Sequence, residues 1–198
     1  MPSVTGAADS DLAGVACTAA TNCVAVGYSV NKFGVSSTLV ERLTGTAWSV
    51  MTSPSAVAGD SNQFTAVACP TSSSCTAVGY ATNGSGGQRA MAEQWSGHSW
   101  AADSVPLPTG AAGDSLEGVA CAGASSCEGV GIVVDGSALA LSWDGRSWQL
   151  QKTVTLPGEA SMLFSVARTG STGYMAVGRR FSDEGTAALL ALAERYVS

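Results

Sequence analysis

The chain has little charge and almost no histidine. Charged residues make up 12% of its 198 positions, the formal net charge is −6, and His98 is the sole histidine. A general nucleic-acid binder needs a basic stripe to neutralise phosphates, so the charge argues against this class, and docking on anionic membranes is disfavoured for the same reason. Since Ser-His-Asp and Cys-His mechanisms both need a histidine, and His98 is expected on an exposed turn, the commonest hydrolase chemistry is disfavoured as well.

Long apolar runs and a visible targeting segment are also missing. No stretch approaches the ~20 apolar residues of a membrane span. The first residues, MPSVTGAADSD, contain neither a basic n-region nor an apolar h-region, so no signal peptide is visible. Two interpretations stay open: a cytoplasmic protein, or a mature domain of an exported one.

What the chain does have is an internal repeat. The phrase VACTAATNCVAVG returns as VACPTSSSCTAVG and VACAGASSCEGVG, so that Cys17, Cys69 and Cys121 follow one another at intervals of 52 residues. Each phrase is followed by an apolar stretch, a Gly-containing turn and a Trp that opens another strand. Four short strands in each unit of about 50 residues are typical of β-propeller blades.

The repeat predicts an all-β protein, a small four-bladed β-propeller forming a single domain over residues 1–198. The predicted blades span about 12–63, 64–115, 116–162 and 163–198. In the fourth copy Arg168 and Tyr174 replace the two cysteines, and the chain ends before a Trp strand, so this blade lacks its outer strand. If the ring does not close as a monomer, two chains are expected to combine.

The six cysteines form three pairs with the same C-x5-C spacing. This spacing across a hairpin suits a disulfide between neighbouring strands, and the joint loss of both cysteines in the fourth copy supports pairing within each hairpin. Reduced buried thiols and a metal site are the two alternatives. The preferred pairs, which favour a secreted or cell-surface protein, are Cys17–Cys23, Cys69–Cys75 and Cys121–Cys127.

The first repeat carries a pattern, VxCxxxxxCxAVGY followed by ERW-x-G-x-x-W in its general form, that resembles repeats of predicted exported actinobacterial proteins of propeller-like build. The resemblance covers nearly the whole chain. It implies the fold and export, and it supplies no catalytic residue. In the first repeat it rests on Cys17, Cys23, Val26, Gly27, Tyr28, Glu41, Arg42, Gly45 and Trp48.

The fourth copy breaks the symmetry and therefore contains the candidate ligand-binding residues. A single ligand site needs no repetition, and arginine binds carboxylate or phosphate oxygens through two parallel hydrogen bonds. The alternative is drift in a terminal blade that caps the array. The candidates are Arg168, Tyr174, Arg179 and Arg180.

Acidic residues before the innermost strands are the candidate metal ligands. Asp60, Asp114 and Glu159 occupy linkers that meet at one end of a propeller channel, where carboxylates could hold Ca²⁺. The alternative is that they are ordinary loop residues. No other cofactor is predicted.

The function predicted from these features is ligand recognition by a lectin-like or small-molecule-binding module. The expected partner is a small molecule or a glycan, with no nucleic acid and no membrane, and the expected state is a monomer or homodimer. One alternative is a non-conventional enzyme, such as a cyclase or lyase of secondary metabolism. A second alternative is a structural interaction domain of a longer exported protein.

Overall fold

The computed structural model describes residues 4–54, 60–154, 159–170, 173–182 and 190–197. These residues form β-strands joined by turns, and the strands pair into four separate antiparallel sheets, one for each repeat. The all-β prediction is therefore confirmed. No helix in this part of the chain is long and apolar enough to cross a membrane.

Each sheet is a meander in which consecutive strands are neighbours. Sheet 1 contains β1 (Ala7–Ala19), β2 (Asn22–Asn31), β3 (Ser36–Thr44) and β4 (Ala47–Met51). Sheet 2 contains β5 (Ser61–Thr71), β6 (Ser74–Thr82), β7 (Gln88–Trp95) and β8 (Trp100–Asp103). Sheet 3 contains β9 (Asp114–Gly123), β10 (Ser126–Val133), β11 (Ala138–Trp143) and β12 (Trp148–Leu150). Sheet 4 contains three strands in the described residues, β13 (Glu159–Thr169), β14 (Gly173–Ser182) and β15 (Leu190–Val197).

The first strand of every sheet starts before the predicted blade boundary. Positions 12, 64, 116 and 163 fall inside β1, β5, β9 and β13 rather than at their beginnings. These strands also share an irregularity, since their pairing with the next strand shifts register at Leu12/Gly14, Phe64/Ala66 and Leu163/Ser165. The bulge brings Leu12 and Val15, and their counterparts in the other sheets, to one face despite their odd spacing.

The cysteine pairs join the first two strands of sheets 1 to 3. The disulfides are Cys17–Cys23, Cys69–Cys75 and Cys121–Cys127, with S–S distances of 2.03, 2.05 and 2.06 Å. In sheet 4 the counterpart pair, Arg168 and Tyr174, lies directly opposite in the same register. Because opposite residues of antiparallel strands are close, one cross-strand position accommodates either pair.

The sheets pack face to face in sequence order, through one apolar cluster for each junction. Between sheets 1 and 2, Val26 and Val40 contact Phe64 and Val67. Equivalent clusters join sheet 2 to sheet 3 and sheet 3 to sheet 4. Every internal sheet therefore buries both of its faces, one against its predecessor and one against its successor.

The outer faces of the first and last sheets are not buried. Val15 on sheet 1 is 63% exposed and Val177 on sheet 4 is 47% exposed. A ring closed by this chain alone would cover both side chains, because their counterparts at the internal junctions are buried. The described residues thus form an open row of four sheets.

Candidate functional site

A cleft opens between the outer strands of sheets 1 and 2. Its volume is about 330 Å³. Sheet 1 contributes the end of β4 and the segment that follows, whereas sheet 2 contributes the β7–β8 hairpin with its turn. The lining residues are Met51, Thr52, Pro54, Trp95, His98, Ser99 and Trp100.

Two tryptophans form the floor of this cleft. Trp95 and Trp100 lie directly opposite each other on β7 and β8, and their ring centroids are 5.8 Å apart at an interplanar angle of 41°. Both are largely buried, at 7% and 6% exposure. The pair is held by the tight turn at Gly97, whose φ of 91° favours glycine. The aromatic floor is consequently formed by a single hairpin of sheet 2.

The indole N–H of Trp100 has no hydrogen-bond partner among the described residues, although the atom is buried. At the equivalent place between sheets 2 and 3, the indole of Trp148 donates to the Asp103 carboxylate at 3.2 Å. Met51 occupies the position in sheet 1 that Asp103 occupies in sheet 2. A thioether is a poor acceptor, so the first cleft keeps an unused donor at its floor.

The rim of the cleft is polar and short of formal charge. His98 and Ser99 are exposed on the β7–β8 turn, and Thr52 is exposed on the opposite side. Behind the floor, the Arg42 guanidinium lies 5.7 Å from the centroid of Trp95. Hydroxyl and imidazole groups around an aromatic surface suit a neutral, hydroxyl-rich ligand with an apolar face.

The four residues predicted to bind a ligand are not brought together. Arg168 and Tyr174 lie at one end of the β13–β14 hairpin, whereas Arg179 and Arg180 lie about 20 Å away along β14. Tyr174 is fully buried, and its hydroxyl accepts from the Ala122 N–H at 3.1 Å and donates to the Ser126 carbonyl at 2.9 Å. Tyr174 thus joins sheet 4 to sheet 3, where a ligand in solvent does not reach it.

The arginines differ among themselves. Arg168 is exposed at the hairpin end. Arg180 forms an ion pair with Glu159 at 3.2 Å. Arg179 is exposed, and its guanidinium lies 5.2 Å and 4.8 Å from the ring centroids of Phe164 and Phe181. Ligand binding by the arginines stays a prediction. The structure divides them between two places, with Arg168 at one end of the hairpin and Arg179 and Arg180 at the other.

The three predicted metal ligands also lie apart, each with its own structural contacts. Asp114 is buried between sheets 2 and 3, where its Oδ1 accepts from the Ala90 N–H at 3.0 Å. Glu159 pairs with Arg180, and the Asp60 carbonyl accepts from the Asn62 side chain. The described residues contain no group of three or more His, Cys, Asp or Glu side chains placed for a metal ion. The structure therefore gives the calcium prediction no support.

Buried carboxylates recur on the third strands without forming a catalytic pair open to solvent. Glu93 accepts from the Ser53 hydroxyl at 2.8 Å, and Glu194 accepts from the Val154 N–H at 3.3 Å. In both cases the donor belongs to the segment that leaves the preceding sheet. These glutamates therefore join consecutive sheets, and in sheet 3 Leu141 takes the equivalent position in an apolar form.

Sequence reasoning missed the cleft because its two sides belong to different repeats. Met51 and Thr52 carry no motif, and His98 was predicted to be an ordinary exposed turn residue. The available signal was local: His98 lies between two tryptophans of one hairpin. Of the repeated tryptophans, Trp100 and Trp148 pack between sheets and are 6% and 4% exposed, whereas Trp48 is half-buried.

Comparison with known proteins defines the class of fold. No protein-family model matches the chain, and no curated protein matches it. Among solved structures, the fungal lectin of Aleuria aurantia, described as a six-bladed β-propeller with fucose recognition, matches 93% of this chain at 18% identity and a TM-score of 0.54. YCF48 from Cyanidioschyzon merolae matches 85% of it at 16% identity and a TM-score of 0.52.

The chain has a propeller-like fold. It spans only part of each similar structure, 58% of the lectin and 48% of YCF48. At these identities the likeness concerns the fold alone.

Proposed function

We propose that the chain is a carbohydrate-recognition module that binds a neutral sugar in the cleft between sheets 1 and 2. The observation that carries the proposal is the preformed floor of Trp95 and Trp100 beneath a polar rim. A pyranose ring presents an apolar C–H face to an indole and its hydroxyls to the rim. The likeness of the fold to a fucose-binding lectin supports the same class of ligand.

The shape and chemistry of the cleft favour binding over catalysis. It is a wide groove of about 330 Å³ rather than an enclosed chamber, and its sole titratable lining group is His98. Enclosure and paired acid–base groups are what glycoside cleavage requires. The unused N–H of Trp100 offers a hydrogen bond to a sugar oxygen once the Met51 side chain moves aside.

The three disulfides support a protein that functions in an oxidising compartment, in agreement with a secreted or cell-surface location. Extracellular glycans are the accessible ligands there. The binding interaction proposed here needs no metal and no other cofactor. Small molecules with several hydroxyl groups would bind in the same cleft through the same hydrogen bonds.

The test is a glycan-array screen of the oxidised chain, followed by calorimetry on the best monosaccharide. Replacing His98 with Ala should weaken binding by about fivefold, since one rim hydrogen bond is worth roughly 1 kcal/mol. The melting temperature should not change because the side chain is exposed.

The matched control is Thr46→Ala, at the equivalent exposed turn position of sheet 1. This variant should bind like the parent chain. An array without any bound glycan contradicts the proposal, and so does a sugar whose affinity is equal in the His98→Ala and parent chains.

A further inference from the structure

We propose that the exposed faces of sheets 1 and 4 are the two halves of one interface, through which copies of this chain associate head to tail. The partner of sheet 4 is sheet 1 of a second copy. The leading face of a sheet is the face that packs against the preceding sheet, and Val67 lies on the leading face of sheet 2. The trailing face packs against the following sheet, and Val26 lies on the trailing face of sheet 1.

The leading face of sheet 1 is built like the buried leading faces. Val15 is 63% exposed, whereas its counterparts Val67, Val119 and Val166 are 8%, 8% and 9% exposed. Three positions earlier, on the same face because of the bulge, Leu12 corresponds to Phe64, Leu116 and Leu163, which are buried at 1% or less. Sheet 1 therefore has the same apolar residue types on its leading face as the other sheets, although no sheet of the described residues covers that face.

The trailing face of sheet 4 shows the complementary pattern. Val177 is 47% exposed, whereas its counterparts Val26, Val78 and Val130 are all 0% exposed. Met175 on the same face is 36% exposed. An apolar side chain at this position packs against the leading face of the next sheet at all three internal junctions.

A polar contact also lacks its partner at the open end. In sheet 3 the Asp114 carboxylate accepts from the Ala90 N–H of the preceding sheet, and in sheet 4 the Ser161 hydroxyl accepts from the Ala138 N–H at 3.2 Å. The counterpart in sheet 1 is Ser10, which is exposed. Ala191 on β15 is the counterpart of Ala90 and Ala138. In a head-to-tail contact, the backbone N–H of Ala191 in one copy would lie opposite the Ser10 hydroxyl of the next copy.

The groove beside Val15 extends this unfinished face. It measures about 290 Å³ and is lined by Leu12, Ala13, Gly14, Val15, Ala25 and Trp48. All its side chains are apolar, and Trp48 is half-buried where Trp100 and Trp148 are buried. An apolar surface of this kind marks a protein contact rather than a hydrated loop region.

A second copy is the occupant that these observations favour, because each chain carries one open leading face and one open trailing face of the same repeat. The three internal junctions show that the two kinds of face fit each other. Such a contact is heterologous, so it closes into a ring if the rotation permits and otherwise continues as an open assembly. Face-to-face pairing of two identical ends would not reproduce the internal junction.

The experiment measures the mass of the oxidised 198-residue chain by light scattering after size exclusion, from 1 to about 100 μM. We expect a mass of two chains or a mass that grows with concentration. Both Val15→Asp and Val177→Asp should reduce it to one chain, because a buried unpaired carboxylate is not tolerated in an apolar contact. Val50→Asp is the matched control, since Val50 is 44% exposed on the outer strand β4 and its counterparts Ala102 and Leu150 stay exposed at the internal junctions.

Mixing the two monomeric variants tests the direction of the contact. The Val15→Asp chain retains an intact trailing face, and the Val177→Asp chain retains an intact leading face. Their 1:1 mixture should therefore form a heterodimer and stop there, although neither variant associates with itself.

Three outcomes overturn the proposal. The parent chain stays monomeric at all concentrations, which would leave the two faces to another blade or another protein. One of the two variants associates like the parent, which would indicate pairing of identical ends. The Val15→Ser and Val177→Ser variants, which replace the aspartate variants if circular dichroism shows that those unfold, weaken association by less than about fivefold relative to Val50→Ser.

Discussion

At the residue scale, burial rather than charge pairing sets the direction in which the pKa values of the buried carboxyl groups shift. Glu128 is 1% exposed on the trailing face of sheet 3, and its Oε1 has no hydrogen-bond partner in the described part of the chain. Burial raises the pKa of this carboxyl to about 8. Burial also raises the pKa of four other carboxyls, those of Glu41, Asp103, Asp114 and Glu117.

The raised pKa of Glu128 predicts a loss of stability with rising pH. The folded state holds the proton more tightly than the unfolded state, whose pKa is near 4.5. The free energy of unfolding should therefore be greatest below pH 4.5 and should fall as the pH rises through about 8, by an amount on the order of a few kcal/mol. Replacing Glu128 with Gln should flatten this dependence and stabilise the protein at pH 8.

Urea unfolding at a series of pH values measures this effect. The control is Asp144→Asn, because hydrogen bonds from the Ser147 and Arg146 N–H groups lower the pKa of this exposed carboxyl. Its stabilisation is lost only below pH 3.8, outside the window in question. A Glu128→Gln chain with the same slope as the parent between pH 5 and 8 would show that Glu128 is ionised in the folded state.

Tyr174 replaces a cysteine of the repeat and forms hydrogen bonds between sheet 4 and sheet 3. It stands in the place of a cysteine, and its hydroxyl contacts the Ser126 and Ala122 backbone of sheet 3. A cross-strand disulfide stabilises one hairpin, whereas this tyrosine connects two sheets. The symmetry break at this position therefore serves packing.

At the element scale, the beginning of each first strand fastens its sheet to the preceding one. A side-chain acceptor takes a backbone N–H of the neighbour's third strand at all three described junctions. The acceptor–donor pairs are Ser61 with Ser36, Asp114 with Ala90 and Ser161 with Ala138. Sheets meet mostly through apolar side chains, which slide easily. One directional hydrogen bond at the strand start fixes the position of each sheet relative to the preceding one along the strand direction.

This contact predicts a specific response to substitution at Asp114. Asp114→Ala should destabilise by about 1–3 kcal/mol, because the half-buried Ala90 N–H loses its acceptor. Asp114→Asn should retain most of the stability, since an amide oxygen accepts the same bond and Asn62 is the counterpart in sheet 2. Chemical denaturation measures both.

Ser10→Ala is the control for this prediction. Ser10 occupies the same position of β1 but is exposed, so the change should leave the stability of the monomer unchanged. Equal destabilisation by Asp114→Ala and Ser10→Ala would contradict a role in joining sheets.

At the scale of the whole molecule, the sheets are joined in a series. Each internal junction has its own apolar cluster, and the end sheets bury one face only. A serial array of this kind behaves as a sum of units and nearest-neighbour contacts. Its terminal units are accordingly the first to open.

The serial arrangement predicts where Tyr174→Phe will act. Loss of the hydroxyl removes its contacts with Ala122 and Ser126, at a cost of about 1–3 kcal/mol. Hydrogen exchange followed by mass spectrometry should show faster exchange in β13 to β15 and unchanged protection in β2 and β3. Uniform acceleration across all four sheets would mean that the array unfolds as a single unit.

The sequence by itself determined the repeat, the strand type and the cysteine pairing. These features are local, since a hairpin, its turn glycine and its two cysteines lie within one stretch of the chain. The four-bladed closed ring was predicted from the number of repeats alone. The number of repeats says nothing about the rotation between sheets, which depends on how two faces pack.

Only the tertiary structure decided which residues meet across junctions. It separated Arg168 from Arg180 by the length of a strand, buried Tyr174, and gave Asp114 and Glu159 structural partners. It also assembled the cleft from Met51 and His98, which are 47 residues apart in sequence (98 − 51). The reason is physical: a period-2 pattern assigns a side chain to a face, but the neighbour that covers this face belongs to another repeat and is placed by packing.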